Sequence, residues 1–211
     1  MILGQFLPES IKNNKILKTY ETLARESFLP IHYKPIAYSD LNIKVTQNRH
    51  LPSPLNSAKI FQEANFTGKE VVLLIGANYG YEAVILSSMV ETVIAIEEDI
   101  KLFNIGERNI KNLNIENLVF LNSRHSNGYK KLGLYDVIIN IDLSFHINNE
   151  LVNQLVNKGK FFFCEQHNNE VRESKLSVIH KAKNGFYKQS LFDINIPFTS
   201  SIDNGNDFNL I

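Results

Sequence analysis

The chain has 211 residues, 44% of them hydrophobic, with 22 Lys plus Arg balanced by 22 Asp plus Glu. That length suits one domain with an extension or two and enough apolar side chains for a packed core. Zero net charge, with no long run of one sign, offers no field to nucleic acid or to an anionic membrane surface, so neither is expected as a partner.

Residues 1–8 carry no basic leader and only a short apolar run, unlike an export signal. No apolar stretch reaches the about 18 residues that a membrane helix needs, and a cytoplasmic protein is expected. The single Cys164 sits in the apolar run 161–164, reads as a small buried thiol, and cannot form an internal disulfide. Heavy use of Asn, Ile and Lys reads as a bias of base composition, which leaves the loop asparagines little functional weight.

In chain order, Asn13 or Asn14 can cap a helix whose apolar stripe is Ile16, Leu17, Tyr20, Leu23 and Ala24, ended by Phe28-Leu29-Pro30. From 31 to 54 there is little periodicity, and Pro30, Pro35, Pro52 and Pro54 punctuate an extended segment expected to act as a lid. A helix follows through Leu55, Ile60, Phe61 and Ala64. Strands and helices then alternate: strand 71–75, helix 82–89, strand 92–96, helix 100–113, strand 118–121, strand 135–141, helix 148–156 and strand 160–164. Residues 176–182 and 187–196 read as a closing antiparallel pair around Asn184-Gly185. The rhythm predicts an α/β, Rossmann-like fold with a mostly parallel sheet, helices on both faces and an N-terminal helical and extended lid. It is expected as a single domain over 1–211: helix and lid 1–54, cofactor-binding core 55–165, antiparallel strands and a polar tail 166–211.

The chemistry is concentrated in Val71-Val72-Leu73-Leu74-Ile75-Gly76-Ala77-Asn78-Tyr79-Gly80-Tyr81, followed by Val93-Ile94-Ala95-Ile96-Glu97. An unalternating apolar run suits a strand buried on both faces, and the glycines let the backbone turn sharply beneath a ligand. Glu97 ends the next apolar run about twenty residues on, where a carboxylate accepts hydrogen bonds from the two hydroxyls of a ribose. The turn is shorter than a dinucleotide fingerprint and lacks the Lys-Ser/Thr pair of a P-loop, so S-adenosylmethionine, which has no phosphate, fits better than NAD or ATP. The reading requires an adenosine-shaped hollow at this turn, with Glu97 pointing into it and no neighbouring side chain filling it.

Several blocks resemble the protein-L-isoaspartate O-methyltransferase family, in particular divergent paralogues of alphaproteobacterial type. Ala24-Arg25-Glu26-Ser27-Phe28-Leu29-Pro30 is similar to its Pro-Arg-Glu-x-Phe-Val-Pro, and Ile36-Ala37-Tyr38-Ser39-Asp40 to its Leu-Ala-Tyr-x-Asp. Arg49-His50-Leu51-Pro52-Ser53-Pro54 stands at its substrate loop, and the run from Leu74 to Tyr81 at its cofactor motif. Leu134-Tyr135-Asp136-Val137-Ile138 and Gln154-Leu155-Val156-Asn157-Lys158-Gly159-Lys160 match two later blocks. The resemblance implies methyl transfer from S-adenosylmethionine to the alpha-carboxylate of L-isoaspartyl residues in damaged proteins or peptides. It implies cofactor contacts from Gly76, Ala77, Asn78, Gly80, Tyr81 and Glu97, and substrate contacts from Arg49, His50 and Ser53; the segment 122–128 lacks the family's Gly-Asp-Gly, whose acid faces the adenine edge, and Asn122 or Ser123 is expected to hydrogen-bond there instead. No catalytic side chain is expected, because an ionised carboxylate needs no base and a sulfonium is already activated.

Three further departures stand out. Leu74 replaces an acid, Asn78 replaces the central glycine of the cofactor turn with the side chain that best tolerates positive φ, and Pro52 stands where the family has a Ser. Arg49 reads equally as a grip on a carboxylate or as a solvated lid residue. Together these leave two other readings: a binding protein that keeps the fold without turnover, and a methyltransferase with another acceptor. The six histidines show no ligand-like spacing, so no metal is expected. Asp136 and Asp142 read as strand-end and loop residues.

Overall fold

The computed structural model describes residues 1–47, 49–142, 147–168 and 171–196. The polar tail after Pro197 and His146 lie outside them. Seven strands form the main sheet: β3 (Val71–Ile75), β4 (Thr92–Glu97), β5 (Leu118–Asn122), β6 (Tyr135–Asn140), β7 (Leu155–Asn168), β8 (Val171–Ala182) and β9 (Gly185–Ile194). Their order is β5-β4-β3-β6-β7-β8-β9, parallel from β5 through β7 and antiparallel thereafter. The chain winds outward from β3 to β5 and then crosses back to lay β6 on the other side of β3. This puts the switch point of a doubly wound sheet at the carboxyl ends of β3 and β6, where such sheets hold their ligands.

Alternation along the strands divides the core. Val72 and Leu74 of β3 face one large cluster built with helix α1 (Asn14–Thr22), α2 (Pro54–Ala64) and α3 (Tyr81–Ser87). Leu73 and Ile75 face a smaller one with Leu151 and Val152 of the single-turn α5 (Asn149–Val152). Leu74 is wholly buried. The leucine that stands where the resembled family has an acid thus serves packing within the larger cluster. The expected fold class holds, with unequal cover on the two faces.

Local chemistry sets most boundaries. The side chain of Asn13 caps α1 through the Lys15 and Ile16 amides, and Ser53 caps α2 through Asn56 N–H with Pro54 in the first turn. Asp99 caps α4 (Ile100–Lys111) through the Lys101 and Leu102 amides. The asparagines are structural staples: the Asn117 amide donates to the Ser87 and Val90 carbonyls, and that of Asn109 to Phe28 and Tyr79. Asp136 is another, its carboxylate accepting from Val71 N–H at 2.9 Å.

Two expectations fail. The helix expected over 148–156 stops after one turn, and β7 begins at Leu155. Gln154 is taken by the preceding loop: its side chain accepts from Tyr129 N–H and donates to the Asn127 carbonyl, while its own carbonyl accepts from Tyr135 N–H and starts the ladder with β6. The segment 31–54 is not simply extended. It forms a 3-10 turn over Ile31–Ile36 and a two-residue antiparallel ladder of β1 (Ile43–Lys44) with β2 (His50–Leu51). It lies over something, as expected: Ala37, Ile43 and Leu51, with Leu29 just ahead of the segment, pack on Tyr79 and Leu102. Ahead of α1, residues 2–6 form a wide turn that buries Phe6 edge-on against Tyr20, ring centroids 5.1 Å apart.

Candidate functional site

The turn after β3 is made by two glycines in the left-handed region, Gly76 at φ +82° and Gly80 at φ +88°, with Asn78 between them at φ +50°. Asn78 adopts the conformation foreseen for it, and its side-chain amide donates to the Gly76 carbonyl at 2.8 Å. The Gly76 and Ala77 amides both donate to the Ile96 carbonyl, which ties the turn to the end of β4. A Cβ at Gly76 would lie 2.7 Å from Asp142 Cβ and 3.1 Å from Arg49 Nη2, so the backbone there is approached closely from outside the sheet.

Glu97, the last residue of β4, points into this space and is fully buried. Its two oxygens accept four hydrogen bonds. Oε1 takes Arg49 Nη1 at 2.9 Å and Asp99 N–H at 3.0 Å; Oε2 takes Arg49 Nη2 at 2.9 Å and Asn78 N–H at 2.8 Å. A carboxylate offers about four lone-pair positions, and all of them are occupied. Two donors are backbone groups of the adjoining turns; the other two are the fork of one arginine.

Arg49, just ahead of β2, is only 6% exposed. Besides Glu97 it meets Asp142 Oδ1 through Nε at 3.3 Å and Asn78 Oδ1 at 3.4 Å. Burial works against its charge, but the facing Glu97 and Asp142 outweigh it and hold the guanidinium more firmly protonated than usual. Asp142, beyond the end of β6, is in turn bonded to His125 Nδ1 at 2.5 Å. Since His125 Nε2 accepts from Glu98 N–H at 3.0 Å, the ring proton is assigned to Nδ1 and faces Asp142. Glu98, His125 and Asp142 thus come within 4.8 Å of one another, a grouping that sequence spacing concealed. With one ring nitrogen protonated toward Asp142 and the other accepting a backbone N–H, the histidine has no lone pair left for a metal.

Residues 5–200 match the family model of protein-L-isoaspartate(D-aspartate) O-methyltransferase. The chain belongs to this family. Protein-L-isoaspartate O-methyltransferase of Aliivibrio fischeri is 30% identical over 162 residues, covering 75% of this chain and 76% of the relative. That of Helicobacter pylori strain G27 is 29% identical over 156 residues, covering 74% and 75%. A solved protein-L-isoaspartate O-methyltransferase superposes with a TM-score of 0.78 at 21% identity, over 95% of this chain but 65% of the other, so the chain spans less than two thirds of that structure. A Plasmodium falciparum protein assigned to the same enzyme class, in complex with S-adenosyl-L-homocysteine, superposes at 0.75 with 20% identity over 92% and 94%.

For a protein-L-isoaspartate O-methyltransferase family member, the residues singled out from sequence divide into two groups. Gly76, Ala77, Asn78, Glu97 and Arg49 come together at the switch point, while Gly80 closes the turn against Ile110 of α4. The others have structural employment. Ser53 Oγ caps α2; Tyr81 packs among Tyr20, Phe28 and the Arg25 guanidinium; the Asn122 amide donates to the Glu97 and Glu98 carbonyls, and Ser123 N–H to that of Glu97. His50 is half-buried in β2, and burial pushes its pKa down. The solvated reading of Arg49 fails because two buried carboxylates draw it inward. The expected open hollow is not met: Glu97 points inward, but the Arg49 guanidinium fills the space before it. His125 and Asp142 were missed as a pair. Each follows the carboxyl end of a parallel strand, and that placement is the one signal that could have raised them.

Proposed function

We propose that this protein is a cytoplasmic S-adenosylmethionine-dependent methyltransferase that acts on the carboxylate of L-isoaspartyl residues in damaged proteins. Glu97 carries the reading. A buried, acceptor-only carboxylate at the tip of the strand beside a glycine turn suits the two hydroxyl donors of a ribose. The residues fit the cofactor on one condition, that the Arg49 fork gives up Glu97. Glu97 would then hold the ribose, and the turn from Gly76 to Gly80 would lie along the rest of the molecule. Bound there, the cofactor supplies a methyl group already activated on a sulfonium.

The chain itself has little proton chemistry to perform. The acceptor carboxylate is an anion at neutral pH, so no base is required, and rate comes from holding nucleophile and methyl in line while water is excluded. The lid over Tyr79 supplies the cover. Arg49 supplies the cation that lets an anionic acceptor approach a site already containing Glu97 and Asp142.

Labelled methyl transfer to an isoaspartyl peptide, against the same peptide with ordinary aspartate, tests this. Transfer to the isoaspartyl form alone, lost in Glu97→Ala, is the expected result. A folded chain that transfers nothing at millimolar cofactor refutes it.

A further inference from the structure

We propose that Arg49 is an exchangeable latch: its guanidinium fork holds Glu97 until a cofactor diol takes that carboxylate, and the released fork then grips the acceptor carboxylate. The inference rests on the methyl-donor reading and adds to it an order of binding and a positioning residue.

Hydrogen-bond bookkeeping at Glu97 drives the argument. Its four acceptor positions are filled, and the Asn78 and Asp99 amides cannot leave without unmaking the turns that carry them. A pair of ribose hydroxyls can be accepted only in place of Arg49 Nη1 and Nη2. The exchange is balanced: Glu97 passes from a guanidinium fork to two hydroxyl donors, and the fork passes from one carboxylate to another. Bidentate geometry suits both partners equally well.

Release does not send the guanidinium into bulk water. Asp142 meets Nε, the nitrogen on the side away from the fork, at 3.3 Å, and His125 holds Asp142 in place. A guanidinium tethered by Nε turns its Nη groups from Glu97 to the acceptor, with only the long 3.4 Å contact of Nη2 to Asn78 Oδ1 to give up. No other cation fills this role in residues 49–54. Pro52 and Pro54 have no N–H, Ser53 is engaged as the α2 cap, and burial works against a charge on the His50 ring. Without the fork, an anionic acceptor would face Glu97 and Asp142 unaided.

Because linkage is reciprocal, the cofactor and the acceptor must strengthen each other's binding. The test is calorimetry on the full chain with S-adenosylmethionine, S-adenosyl-L-homocysteine and an isoaspartyl peptide, with folding checked by circular dichroism and melting. In the wild type, peptide affinity rises at least about tenfold when S-adenosyl-L-homocysteine is present. Arg49→Met binds S-adenosylmethionine at least about tenfold tighter than wild type, because the competitor for Glu97 is gone, and it loses the peptide synergy. In nitrogen-15 spectra of wild type, the Arg49 Nη signals are slow-rotating and lose that restraint on Glu97 when cofactor is added. Arg49→Gln, which keeps one donor for Glu97, replaces the Met variant should that one not fold. A folded variant that binds cofactor no tighter than wild type, or that keeps the synergy, overturns the latch while leaving the methyl-donor reading intact. Failure of wild type and variants alike to bind either cofactor form overturns the methyl-donor reading, and the latch with it.

Discussion

Glu97→Gln removes one charge and almost no volume, so its effect isolates the hydrogen-bond count at the switch point. The amide has one acceptor oxygen, which can serve two of the four donors that now reach the carboxylate. Whichever way the amide is flipped, its NH2 meets one Arg49 Nη group and one backbone N–H, donor against donor. Two charge-reinforced bonds at about 1.5–3 kcal/mol each are lost, and Arg49 is left buried beside a neutral partner. Asp142 at 3.3 Å still compensates part of that charge, which places the net loss near about 3 kcal/mol. For a chain of this size the melting temperature should fall by about 6–12 °C, and the urea midpoint by about 1 M. Both can be followed by circular dichroism. The double variant Glu97→Gln with Arg49→Met should recover much of the loss, since it removes the unpaired charge together with its partner. A single-variant loss below about 1 kcal/mol, or strictly additive losses in the cycle, would refute the saturated-carboxylate account.

Asn78→Ala should cost about 1–2 kcal/mol in chemical denaturation, because alanine keeps the strained Cβ at φ +50° but loses the local bond to the Gly76 carbonyl that offsets it, whereas Asn78→Gly, which sheds the Cβ, should cost less. His50 and His180 both have pKa values pushed below 6.5 by burial, so the folded state binds protons less readily than the unfolded chain. The stability they contribute is present above pH 6.5 and is lost as pH falls through their folded values; melts from pH 7.5 to 5 should decline, and His50→Gln with His180→Gln should flatten that decline. Burial pushes the Cys164 thiol up to about 12, so at pH 8 it should react with a disulfide reagent only as fast as the chain opens, accelerating with urea across the unfolding transition.

The β3–turn–α3–β4 unit was legible because its signals are local: apolar runs without alternation, two glycines, and an acid at the end of the second run. The cap of α1 at Asn13 was legible for the same reason. What could not be read was pairing across the chain. Arg49 finds Glu97 48 residues away because the segment before β2 lies over the end of β4, and His125 finds Asp142 17 residues away because β6 returns to the flank of β3. The early start of β7 is similar: Leu155 looks helical beside Val152 until Tyr135 is placed opposite it. The asparagines were undervalued because composition explains their number but says nothing about which carbonyls they reach.

Arg25 is wholly buried, with Nη2 donating to the Pro52 carbonyl at 2.7 Å, Nη1 on Glu82 at 3.3 Å and its plane over the Tyr81 ring. It rivets the loop carrying Arg49 to the first turn of α3, three residues beyond the arginine it restrains. With that loop pinned, the Arg49 side chain can swivel about its own bonds while the main chain stays put. Such a swivel is fast compared with loop rearrangement. Cutting the rivet with Arg25→Met would convert a quick, local motion into a slow, collective one.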